Sequence, residues 1–103
     1  MDTILYLFES LLETIEEQID AAKKLDTTAL VRATERRQDL LFEIEVEQGG
    51  RRIEPDIELI EIKQQIDIAD ERLINILETV VQITKKVQDD KRIYSKKGEL
   101  KRS

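Results

Sequence analysis

The chain has 103 residues, room for one domain, and a chain of this size buries only about 60–65% of the surface it exposes when unfolded. Charged residues make up 39% of it, aromatics 4%, and there is one proline, a profile of helical rods rather than of sheets. Cysteine and histidine are absent, which removes disulfides, thiolates, an imidazole base and the usual zinc ligands.

The net charge of −6 is unevenly spread. Residues 1–84 hold 9 Lys and Arg against 20 Asp and Glu, whereas residues 85–103 hold 8 against 3. The acidic body argues against nucleic-acid binding, which needs a basic surface. A short basic end is usually solvated, and it also offsets the carbonyl end of a preceding helix dipole. No apolar run approaches the roughly 18 residues of a membrane span. The N-terminal stretch MDTILYLFESLLETIEEQ lacks a basic lead-in and a small-residue cleavage site, and reads as a helix rather than a signal peptide.

The first segment, 3–24, places Ile4, Phe8, Leu11, Ile15 and Ala22 at steps of four and three, with Leu5, Leu12 and Ile19 in a parallel row. That is the apolar stripe of an amphipathic helix, with Glu9, Glu13, Glu16 and Glu17 on its far side. The stretch KKLDTTAL contains neither glycine nor proline, so one helix through residue 48 is an alternative. Two features favour a break there. Asp26 is a good N-cap with Leu25 and Leu30 at staple positions, and the apolar phase slips to Leu30, Ala33, Leu40 and Ile44.

The second helix is expected over 27–48. In FEIEVEQGGRRIEP the alternation of Phe42, Ile44 and Val46 suggests a hairpin arm, but the second arm lacks alternation and contains Pro55. Gly49–Gly50 is therefore read as a helix stop, with Pro55 near the first turn of a third helix.

The third helix, expected over 55–90, carries the strongest periodic signal. Leu59, Ile62, Ile66, Ala69, Leu73, Ile76, Val80, Ile83 and Val87 keep strict 3-4 spacing, a coiled-coil seam, which Ile60, Ile74, Leu77 and Val81 are expected to widen. The fold expected is all-α: an antiparallel helical hairpin plus a longer third helix running beside the second, an elongated three-helix bundle or coiled coil spanning 1–92, with 93–103 as a basic mobile tail. The third helix would outreach the hairpin from about Leu77.

An uncovered stripe of this kind is an unfinished interface. Its partner-binding residues would be Leu73, Ile76, Leu77 and Val80, continuing through Val81, Ile83 and Val87. Two kinds of occupant fit the pattern equally: a second copy, as in a homodimer, or a heterologous helix.

No catalytic constellation stands out. A bundle-core di-iron site would need inward Glu and Glu-x-x-His motifs, and the carboxylates fall off the apolar stripes. Glu16/Glu17 and Asp89/Asp90 are adjacent on a helix and point apart. There is no phosphate-binding glycine loop and no nucleophile elbow. Neither enzymatic activity nor a cofactor or metal is expected.

Leu30, Thr34, Glu35, Arg36, Leu40 and Leu41 follow an L…T-E-[KR]…LL pattern, and Tyr94 to Gly98 read Y-x-x-x-G. In both respects the chain resembles the FlgN-type flagellar export chaperones, with the neighbouring FliT-type chaperones as the alternative. The resemblance implies a small cytoplasmic helical chaperone. Its client would be the C-terminal helical segment of a hook-associated protein at the hook–filament junction. It would deliver that client to an export gate component of the type III apparatus, without ATP or metal of its own. The late stripe of the third helix would face the client, and Tyr94 would dock at the gate, with Gly98 letting the chain turn there. The structural alternative for Tyr94 is a ring folded onto Ile93 or Leu100.

Overall fold

The computed structural model describes the backbone of residues 3–50 and 56–102, and the side chains of residues 3–50 and 56–86. The chain is all-α and elongated, 72 Å along its major axis and about 22 Å across. Its elements are α1 (Thr3–Lys23), α2 (Thr27–Gln48) and α3 (Ile57–Arg102).

The break between α1 and α2 has a definite backbone form. The amide of Leu25 donates to the carbonyl of Ala22 at 3.2 Å, and that of Asp26 to the carbonyl of Ala21 at 2.9 Å. This is the Schellman pairing that closes a helix C-terminus. Asp26 then caps α2, its carboxylate accepting from the Ala29 amide at 3.1 Å. At the other end of α2, Gly49 takes the left-handed conformation with φ of 51°, and its amide donates to the carbonyl of Glu45. The double glycine is thus a helix stop, as its composition suggests. Pro55 lies outside the described residues.

The packing order differs from the expected one. α1 is the central helix: nine of its 21 residues are buried, against three of 22 in α2. Both other helices lie closely along α1, while among the described residues the α2 and α3 backbones do not approach each other. α3 therefore runs beside α1 and not, as expected, beside α2. The reason is a buried sector on α1 much wider than one stripe. Leu7, Leu11, Ile15 and Ile19 join Leu40 and Ile44 of α2 and Ile66, Ala69 and Leu73 of α3 in one core. Along the same helix Ser10, Thr14 and Gln18 are also buried, a polar row that apolar periodicity does not reveal.

The third helix is longer than its seam. It continues through Arg102, past Asp90, so the segment 93–103 set apart as a tail has helical backbone as far as Arg102. Gly98, expected to let the chain turn where it docks, lies within this helical backbone. A glycine inside a helix costs about 1 kcal/mol but does not end it, and the surrounding Lys, Glu and Leu are strong helix formers. At 1.5 Å per residue α3 is about 69 Å long, about twice α1.

Candidate functional site: the emergent seam of the third helix

α3 runs in the same direction as α1. Near the start of both, the Lys63 ammonium lies 5.3 Å from the centre of the Phe8 ring. Near the end of α1, Ile76 and Val80 share a cleft with Ala22 and Leu25. Past that level α1 has ended, and among the described residues nothing continues its lane along α3.

The seam records this loss of cover residue by residue. Leu59, Ile66, Ala69 and Leu73 are buried; Ile76, Leu77 and Val80 are half-buried; Ile83 is 57% exposed. One heptad repeat thus passes from core to solvent without changing its chemistry. The turn at Lys24–Asp26 is where cover stops.

The sequence-expected binding residues divide accordingly. Leu73 is buried in the intramolecular core and is corrected from binding surface to core. Ile76 and Leu77 pack against that core while keeping an open side. Val80, Val81 and Ile83 lie at or beyond the edge of cover. The side chains of Val87 and Tyr94 are outside the described ones, although both positions, like Gly98, lie on the helical backbone of α3.

A second correction concerns the width of the seam. Ile60, Ile74 and Val81, expected to broaden it, are exposed on the side of α3 turned away from α1. They sit one position after Leu59, Leu73 and Val80, about 100° further round the helix, beyond the reach of α1. Ile60, Ile74 and Val81, fourteen and seven positions apart, share one outward line, whereas Ile68 is exposed on the opposite flank of α3, more than about 100° from Ile74 and Val81.

Two open clefts flank the seam where it emerges. One, of about 380 Å³, lies between Ala22, Lys23 and Leu25 on one side and Ile76, Val80 and Ile83 on the other. The second, of about 290 Å³, lies between the turn and α3 and is walled by Leu25, Leu30, Leu77 and Val80. Thr79 and Thr84 border them, but each hydroxyl donates back to its own helix, to the carbonyls of Asn75 and Val80 at 2.9 Å. What the clefts offer is apolar surface.

Above this region one polar network ties the helices together. Arg37 of α2 holds Asp70 of α3 with both guanidinium nitrogens, at 2.7 and 3.0 Å, and donates to the Gln18 carbonyl oxygen of α1 at 3.1 Å. The Gln18 amide nitrogen in turn donates to the Thr34 hydroxyl at 3.1 Å, and Thr34 donates to the carbonyl of Leu30. Residues of the family-like pattern thus serve the hairpin: Thr34 through this network, Arg36 through an exposed pair with Glu17, and Leu40 in the core. Among the described residues no group of three or more acidic side chains is placed to hold a metal ion, and no helix is long and apolar enough to cross a membrane.

Comparison with protein-family models, with curated proteins and with solved structures finds no match.

Proposed function

We propose that the chain is a cytoplasmic partner-binding chaperone of the flagellar export type, holding the C-terminal helical segment of a hook-associated protein against the emergent part of α3. The observation that carries this reading is the seam itself, which continues past the end of α1 with Val80 half-covered and Ile83 in solvent. A client helix laid in the vacated lane would restore the three-helix packing found lower in the molecule. At about 25 cal/mol per Å², covering several aliphatic side chains offers several kcal/mol before ordering costs. The family-like phrases at Leu30–Leu41 and Tyr94–Gly98 supply the flagellar identity, with Tyr94 as the contact for the export gate component.

The test is titration calorimetry with the C-terminal peptide of a hook-associated protein. Val80→Asp combined with Ile83→Asp should keep the circular-dichroism helix signal and abolish binding; binding unchanged by the pair sinks the assignment. Tyr94→Ala should retain client binding and weaken capture by the gate component.

A second reading, a homo-oligomeric coiled-coil adaptor, is favoured by the exposed heptad-spaced Ile60, Ile74 and Val81. It predicts a dimer in sedimentation that persists on dilution and survives the Val80/Ile83 aspartate pair.

A further inference from the structure

Leu25 is the residue at the mouth of the emergent seam, and its backbone sets it apart. It occupies the left-handed region with φ of 56°, the only described non-glycine residue to do so. This conformation brings the Cβ of an L-residue too close to the following carbonyl oxygen, which is why helices usually end on glycine there. The chain follows that rule at the end of α2, where Gly49 has φ of 51°. At the end of α1 it keeps a leucine and leaves it 67% exposed. The staple position opposite Leu30 leaves most of the side chain in solvent, so burial accounts for only a small part of it, and the turn itself would form more easily without it.

What the side chain does is line both clefts, facing Ile76, Val80 and Ile83 across one and Leu30 and Leu77 in the other. The charge around it differs from that of the rest of the molecule. Lys23 lines the first cleft, Lys85 and Lys86 follow exposed on α3, and residues 85–103 hold 8 Lys and Arg against 3 Asp and Glu, in a chain otherwise strongly acidic. Two acids stand close by: Asp26, which caps α2 and borders the second cleft on the side away from Lys23, and Asp20 of α1, which pairs with Lys24 at 3.1 Å. A negatively charged helix would be repelled along the body and attracted at this end alone.

We propose that Leu25 is a partner-contacting anchor, and that the occupant of these clefts is an amphipathic helix with an acidic polar face. This rests on the partner-binding reading above and specifies the chemistry of the partner. Such a helix occupies the lane that α1 vacates. Its apolar positions meet Leu25, Val80 and Ile83, and its carboxylates lie toward the exposed Lys23, Lys85 and Lys86, which fixes its placement and quickens its docking.

The experiment uses the full chain and two synthetic helical peptides with the same apolar heptads, one with glutamate and one with lysine at the polar positions. The glutamate peptide should bind, with affinity falling as salt rises, and the lysine peptide at least about tenfold more weakly. Equal binding of the two, or none by the glutamate peptide, overturns the proposal. Leu25→Gly should leave Tm equal or higher while weakening the glutamate peptide about tenfold. Leu25→Asn, which tolerates the left-handed region but is polar, should weaken it as much. Unchanged affinity in either variant means that Leu25 is not an anchor, whatever happens to Tm. Sedimentation of the same variants guards against a different occupant: a wild-type dimer that Leu25→Gly dissociates assigns the clefts to a second copy and overturns the acidic-helix proposal. A hook-associated C-terminal peptide run alongside separates the two levels. Its failure while the glutamate peptide binds removes the flagellar client and keeps the site; the reverse keeps the client and removes the acidic-helix chemistry.

Discussion

Arg37 and Asp70, 33 positions apart in sequence, meet in a two-pronged contact that is a direct polar link between α2 and α3, two helices whose described backbones do not approach each other. The guanidinium meets the carboxylate through a hydrogen bond from Nη2 and a close ionic contact from Nη1, and Nη1 also donates to Gln18. Both side chains retain about a quarter to a third of their exposure, so the desolvation cost is partial. The contact fixes how α3 is rotated and registered against the hairpin, which sets the level at which its seam emerges.

Breaking one side of this contact leaves the other partners unsatisfied. Arg37→Met is expected to destabilise by about 1–2 kcal/mol in urea unfolding, and Asp70→Asn by less, because Asn still accepts one hydrogen bond. The double mutant should show a coupling of about 1 kcal/mol. Additive effects would mean that the pair is ornamental.

The aliphatic residues should separate into two classes by energetics. Ile15 is completely buried where α1 meets both neighbours, and Ile15→Ala should cost about 3–4 kcal/mol. Val81 looks much like it in sequence pattern but is 63% exposed, and Val81→Ala should stay within about 0.5 kcal/mol. Chemical denaturation of both variants decides whether the seam leaves the core where the geometry places its exit.

Gly49→Ala tests the other left-handed position. An added Cβ would lie 3.6 Å from the Val46 carbonyl oxygen, an ordinary contact, so no collision is involved. The cost is conformational, and a loss of about 1 kcal/mol is expected from thermal or urea unfolding. A neutral substitution would show that the end of α2 relaxes out of this conformation.

Asp26→Ala removes the cap of α2 and exposes the amide of Ala29. A loss of about 1 kcal/mol is expected by denaturation, with Asp26→Asn or Asp26→Ser retaining most of the stability. If alanine and asparagine behave alike, the carboxylate is not holding the start of the helix.

Helix number, the break before Asp26, the glycine stop at Gly49 and the seam from Leu59 to Ile83 were all legible in the amino-acid sequence, because each is set by chemistry within a turn or two of the residue concerned. Periodicity says that a face is apolar and is silent on what covers it. Only the tertiary structure decided that α1, and not α2, lies against α3, that Leu73 is core while Ile83 is surface, and that Ile60, Ile74 and Val81 turn outward. It also decided the buried row of Ser10, Thr14 and Gln18, since polar residues enter a core only when a specific neighbour can satisfy them, as Thr34 and Arg37 do for Gln18. The same holds for Leu25: its place in the chain marked a turn, but the strain in its backbone and the clefts it borders arise from where α1 ends against a longer helix.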